Sequence, residues 1–173
     1  MKYIFASDIH GSAYYCEKLI KAFEDEQASR LVLLGDILYH GPRNDLPRGY
    51  APKETAAMLN SLADRILCVR GNCDAEVDQM MLSFPVLADY ALLELGGQRV
   101  YLTHGHVFNM DHPLPMQEGD IMIYGHFHVP ADEVRNGKRF LNPGSVSIPK
   151  EGSGHGYIIF EDGIFMQKDV LHY

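Results

Sequence analysis

The sequence predicts an α/β fold in which two β-sheets share one core. Three observations predict it. Apolar runs of β-type residues alternate with helix-period segments as far as Asp74, the order then turns almost wholly to strands, and glycine-containing turn pairs separate those later strands. At 173 residues and 46% hydrophobic, the chain suits one domain spanning 1–173 with a sizeable core.

The elements follow in order. "KYIFA" (2–6) is a short buried-type strand. Behind it Tyr15, Leu19, Ala22, Phe23 and Glu26 fall on one helical stripe, with Ser12 placed to cap it. "RLVLL" (30–34) is a second strand. Residues 53–63 form a helix with Thr55, Met58, Leu59 and Leu62 inward, and "RILCV" (65–69) is a third strand. Next, "VLADYALLEL" and "QRVYLT" flank Gly96-Gly97, a hairpin signal. "DIMIY" (120–124) is a further strand, and Asn136-Gly137 and Asp162-Gly163 mark two more hairpins. Residues 37–52 carry three prolines and two glycines without periodicity, the mark of a functional or mobile loop.

Composition excludes several classes. A formal charge of −8 without a basic run disfavours a nucleic-acid polymer as partner. Cys16, Cys68 and Cys73 are odd in number and lack CxxC spacing, against a disulfide framework or a cysteine-built zinc site. No apolar stretch approaches the ~20 residues of a membrane span, and "MKYIFASDIHG" turns polar too early for a signal-peptide core. A soluble cytoplasmic protein is expected. An exposed sheet edge in the β-rich half leaves a homo-oligomer possible.

Nine histidines are the oddity, and four of them cluster in "THGH" and "GHFH". Their placement is informative. Five apolar runs each end in residues able to bind a metal: Asp8 and His10, Asp36, Asn72, His104, then His126 and His128. Ligands gather outside the carboxyl ends of strands in α/β sheets, so neighbouring strands would bring these seven side chains together. Glycines before Asp36, Asn72 and His126 suit tight turns at a crowded site. One DxH after a strand is commonplace, and a lone GD usually marks a turn. All five in this order are not commonplace. The mixed oxygen and nitrogen set, without thiolate, suits manganese, iron or zinc better than calcium. Seven donors exceed one four-coordinate ion, so two divalent ions bridged by a carboxylate are expected.

The series "DIH" (8–10), "GD" (35–36), "GNCD" (71–74), "THGH" (103–106) and "GHFH" (125–128) resembles that of the calcineurin-like metallophosphoesterases. "GDILYHGPRN" and "NPGSVSIPK" (142–150) are similar to the small bacterial YfcE-type phosphodiesterases among them. The resemblance implies a four-layer α/β sandwich of two mixed sheets flanked by helices. It implies one ion on Asp8, His10, Asp36 and His128, and another on Asp36, Asn72, His104 and His126, with Asp36 bridging. Manganese is the usual metal, with zinc, iron or nickel as alternatives. It implies hydrolysis of a small phosphodiester by a hydroxide generated between the ions.

Where the family motif carries a histidine that protonates the leaving oxygen, this chain has Cys73, with Asp74 after it as the orienting acid. A thiol is a poor substitute for imidazolium. Cys73 is a placeholder, a ligand or redox gate, or a nucleophile, the first being favoured because two metals supply a better attacker. Activated aryl leaving groups are then expected to be preferred. Asn72, Cys73, Asp74 and His106 are the candidate catalytic residues. His40, Arg43 and Asn44 are candidates for substrate contact, or else a solvated lid, and "NPGS" either packs behind the metals or is a plain turn. A phosphomonoesterase using the same site, or a non-catalytic scaffold of the same fold, are the competing functions.

Overall fold

The computed structural model describes residues 1–172. Its elements are β1 (Tyr3–Ala6), α1 (Ala13–Asp25), β2 (Arg30–Leu33), α2 (Pro52–Asn60), β3 (Ile66–Cys68), α3 (Glu76–Met81), β4 (Ala91–Leu95), β5 (Gln98–Leu102), β6 (Ile121–Ile123), β7 (Pro130–Arg135), β8 (Lys138–Pro143), β9 (Gly156–Glu161) and β10 (Ile164–Asp169). They form two five-stranded mixed sheets, ordered β10-β9-β1-β2-β3 and β4-β5-β6-β8-β7. Each holds three parallel strands: β1, β2 and β3 in the first, β5, β6 and β8 in the second. Among the described residues no helix is long and apolar enough to cross a membrane.

The alternation of side chains along each strand builds the layers. Phe5, Val32, Leu34 and Ile158 of the first sheet meet Val100, Leu102, Ile121 and Leu141 of the second. On the other face, Ile4, Leu31, Leu33 and Ile159 pack under Cys16, Leu19 and Phe23 of α1 and Leu59 of α2. The outer face of the second sheet is covered by an irregular segment, with Leu114 and Met116 on Met122 and Phe140. The two expected sheets and their shared core are present, and irregular chain forms the fourth layer.

Local chemistry explains the element ends. The Ser12 hydroxyl accepts the Tyr15 N–H at 3.2 Å, capping α1. Pro52 opens α2, where its missing N–H costs nothing. This helix stops at Asn60 rather than running to residue 63, as the Ser61 hydroxyl bonds back to the Met58 carbonyl at 2.6 Å. Met58 and Leu62 still pack against the core, partly buried. The expected strand through 86–90 is absent: Val86 donates to the Gln79 side chain, and the Ala88 carbonyl accepts from Arg70. Only Ala91–Leu95 joins the ladder. The hairpin turns at Gly96-Gly97, Asn136-Gly137 and Asp162-Gly163 all have positive φ at both residues, matching the strands' right-handed twist.

α3 has no counterpart in the sequence reading. It is six residues long and turns Val77, Met80 and Met81 to solvent, so it leaves no inward apolar stripe. The Asp78 carboxylate secures its start by accepting the Ala75 N–H at 2.7 Å.

Candidate metal centre

Asp8 and His10 follow β1, Asp36 follows β2, Asn72 follows β3, His104 follows β5, and His126 and His128 follow β6. All five strands belong to the parallel sets, so their carboxyl ends point the same way within each sheet. Short bonds continue the pairing past the strands: Asp8 N–H to Gly35 O at 3.1 Å, His10 N–H to Asp36 O at 2.9 Å, and Gly125 N–H to His104 O at 2.7 Å.

The loops turn sharply there. Asp8, His10, Asp36, His126 and His128 all have φ between 50° and 69°. Aspartate and histidine visit this left-handed region more readily than most residues, yet each such residue still costs ~1 kcal/mol or more. Two glycines admit the close approach. A Cβ on Gly71 would stand 2.1 Å from Asp36 Oδ1, and one on Gly125 would stand 1.9 Å from Ser7 Oγ.

Three imidazoles are fixed from behind. Nδ1–H of His10 donates to Tyr39 O at 2.8 Å, that of His104 to Leu34 O at 2.7 Å, and that of His128 to Ile148 O at 2.8 Å. Each ring therefore aims its Nε2 into the centre. His10 Nε2 and His128 Nε2 lie 3.3 Å apart, and His104 Nε2 lies 3.1 Å from Asn72 Oδ1 and 3.3 Å from His126 Nδ1. Acceptors facing acceptors repel unless a cation or a proton sits among them.

The carboxylates complete the pattern. Asp8 Oδ1 is fully buried without a hydrogen bond, 3.2 Å from His128 Nε2 and 3.6 Å from His10 Nε2. Asp36 Oδ2 stands 3.7 Å from His10 Nε2 and 3.4 Å from His104 Nε2, between the two halves. Asp8, His10 and His128 form one group able to hold an ion, and Asp8, Asp36 and His104 another. Burial disfavours charge here, yet contacts with His10 and His128 hold the Asp8 carboxyl well below its ordinary range. Burial also opposes a charged His104, but Asp36 and Asp8 override it and push its pKa up to about 9. Burial and the neighbouring His104 push His126 down to about 4. The centre thus attracts positive charge, and its oxygen and nitrogen donors fit two divalent ions.

Behind the centre, the end of β8 and the segment after it act as a brace. Ser145 and Ser147 hydroxyls both donate to Asp8 O, at 2.8 and 3.1 Å, and the Asn142 amide donates to Gly125 O at 2.9 Å. The Asp74 carboxylate is a second brace. It accepts the backbone N–H of Asp36 at 2.8 Å, Ile37 at 2.9 Å and Gly71 at 2.7 Å, tying the β2 loop to the β3 loop. The Cys73 N–H in turn donates to Asp36 Oδ1 at 2.8 Å. The Cys73 thiol lies within 4.8 Å of donor atoms from His10 and Asp36. Burial and the Asp36 carboxylate push it well above its ordinary range, so it stays protonated.

A cavity of about 320 Å³ opens over the centre, lined by Asn72, Cys73, His126, His128, Arg43 and Lys150 among others. Asn44 lines it too. The His40 ring turns away to lie between Tyr39 and Tyr50, with centroids 4.7 and 5.3 Å distant. His106 is exposed beside His104, 5.3 Å between ring centroids. Lys150 and Phe127, which also lines the cavity, escaped the sequence reading. Lys150 does end the quoted "NPGSVSIPK" segment, but nothing in its spacing marks a lysine as facing a cavity.

Comparison with known proteins places this centre in a lineage. The profile of the calcineurin-like phosphoesterase superfamily domain matches residues 1–162. The chain belongs to the calcineurin-like phosphoesterase superfamily. Within that superfamily it is similar to Phosphodiesterase YfcE of Escherichia coli strain K12, 47% identical over 95% of this chain and 89% of the relative. The solved structure of the E. coli phosphoesterase Yfce superposes with a TM-score of 0.96 at 45% identity, covering 98% of this chain and 93% of the other. Vps29 of Entamoeba histolytica, solved in complex with zinc, has a TM-score of 0.59 at 19% identity, with 97% of each chain covered. At that distance the likeness is one of fold alone.

Proposed function

We propose that the chain is a metal-dependent phosphodiesterase acting on small diesters, with a preference for activated aryl leaving groups. One observation carries the reading: oxygen and nitrogen atoms of seven residues from two sheets converge on one centre, in a chain 47% identical to a phosphodiesterase. Asp8, His10, Asp36 and His128 would hold one ion, and Asp36, Asn72, His104 and His126 the other. When bound, such a pair supplies Lewis acidity to a phosphoryl group and a water that ionises near neutral pH. Manganese is the expected metal.

The remaining work falls to this chain's own groups. Arg43 and Lys150 place positive charge beside the cavity, and a guanidinium suits phosphate oxygens. The Asn72 amide donates to Cys73 Sγ at 3.2 Å, which leaves its oxygen for the centre. Asp74 and the serines behind Asp8 keep the donors in place. Cys73 fills the position of a proton donor without serving as one, because a thiol held protonated yields its proton reluctantly. Leaving groups that depart unprotonated should therefore be favoured.

Turnover of para-nitrophenyl diesters and monoesters with added manganese, paired with metal content by mass spectrometry, tests the reading. Faster monoester turnover would make it a monoesterase, and no turnover with either would favour a scaffold. Cys73→Ser is expected to keep aryl-diester turnover within a few-fold. Cys73→His should add general-acid help, worth ~10²-fold or more on alkyl diesters. Complete loss in Cys73→Ser with both metals bound would make the thiol essential and defeat this account. Arg43→Ala is expected to raise KM for diesters about tenfold with a smaller change in kcat. An unchanged KM would return the 37–52 segment to a solvated lid.

A further inference from the structure

A second cavity, of about 380 Å³, adjoins the first, and Cys73 lines both. Its walls are Tyr39, Tyr50, Val77 and Met81, over a floor that includes buried Leu38. Tyr39 is 41% exposed, Val77 65% and Met81 43%, an unusual concentration of large apolar groups on a chain of net charge −8. Lys53 and Asp78 also border it and offset one another, so the groove offers no net charge to a second phosphate. The two cavities divide the labour: cationic Arg43 and Lys150 beside the metal ligands, apolar surface beyond Cys73.

Between them the wall is low. Gly41 lines the first cavity with no side chain, and a Cβ there would stand 3.1 Å from Cys73 Sγ. An imidazole at position 73 would be bulkier than the thiol at this shared boundary. α3 supplies Val77 and Met81, and it buries no apolar side chain of its own. Its exposed apolar residues make structural sense if they face an occupant.

We propose that this groove seats an uncharged, aromatic or branched aliphatic ester arm of the substrate, selecting diesters with one such arm over diesters with small or charged arms. The inference rests on the phosphodiesterase reading and sharpens its substrate class. The volume matches an aryl group, since small-molecule sites begin at ~300 Å³. Stacking on Tyr39 or Tyr50 and contact with the Met81 thioether suit an aromatic arm.

The test compares two monoanions that lack an activated leaving group, monomethyl naphthylphosphonate and monomethyl methylphosphonate, as competitors of bis(para-nitrophenyl) phosphate turnover by the manganese-loaded enzyme. The naphthyl compound is expected to inhibit about tenfold more tightly or better. Val77→Asp, compatible with the first turn of a helix, should bring the ratio of the two inhibition constants toward one. Met81→Gln should act in the same direction. Methyl NMR of the methionines on the zinc-loaded, diamagnetic enzyme supplies a readout independent of turnover: the Met81 signal should shift with the naphthyl compound and not with the methyl one. A ratio near one in the wild type, or a ratio indifferent to both substitutions, overturns the groove while leaving the phosphodiesterase intact. Absence of turnover with a shifted Met81 signal removes the phosphodiesterase reading and leaves an apolar binding groove.

Discussion

Asp36→Asn is expected to lower diester turnover on the order of 10³-fold and to reduce bound metal from two ions to one or none. Asp36 Oδ2 is the oxygen between the halves of the centre, 3.7 Å from His10 Nε2 and 3.4 Å from His104 Nε2. Its other oxygen already accepts the Cys73 N–H at 2.8 Å. An asparagine keeping that bond must turn its NH₂ toward the imidazoles, replacing a shared anionic acceptor by a donor. Burial and the Asp8 charge oppose ionisation of Asp36, yet the contact with His104 holds its carboxyl below the ordinary range, so the substitution also strips a buried imidazolium of its partner. Metal-free thermal stability near neutral pH should therefore fall along with metal content. Two ions retained at full occupancy would show that Asp36 does not bridge.

Asp74→Ala is expected to cost about 3 kcal/mol or more of folding stability, read from denaturant unfolding of the metal-free protein. The carboxylate accepts three backbone N–H groups from two loops, and each orphaned buried donor costs ~1–3 kcal/mol. Burial and the nearby Asp36 carboxylate push Asp74 up to about 6, against the pull of those same bonds, so part of the loss is recovered by removing a confined charge. Against a typical total of ~5–15 kcal/mol the remainder is large. Asp74→Asn, which keeps the shape but presents one NH₂ to a backbone donor, should fall between. A loss below ~1 kcal/mol for Asp74→Ala would mean that water replaces the carboxylate easily, and that Asp74 is not a brace. Turnover should fall with stability, because the groups it ties are Asp36 and Gly71.

The two sheets were legible because strand periodicity and paired turn residues are local signals. Gly96-Gly97, Asn136-Gly137 and Asp162-Gly163 all turn hairpins. The convergence of Asp8, Asp36, His104 and His126 was legible for a different reason: each directly follows an apolar run, and parallel strands leave one place for such residues to meet. What escaped notice depends on packing. α3 has no inward stripe, so no periodicity announced it. His40 sits in the loop that carries Arg43 and Asn44, but neighbouring tyrosines draw its ring aside. Lys150 comes to the cavity because the brace behind Asp8 also delivers the chain to its rim, a consequence of Ser145 and Ser147 that spacing does not encode. Asp74 was legible only as an acid following Cys73, and its three backbone partners were not, since two of them come from a loop more than thirty residues away.

β1 lies between β2 on one side and β9 on the other, with Phe5 opposite Ile158 and Ile4 opposite Ile159. The strand that presents Asp8 and His10 thus owes one of its two paired edges to a partner from far along the chain. A chain cut before residue 156 would keep all seven candidate donors, since His128 is the last of them, yet leave β1 open along that edge. Such a fragment is expected to hold metal more weakly than the whole.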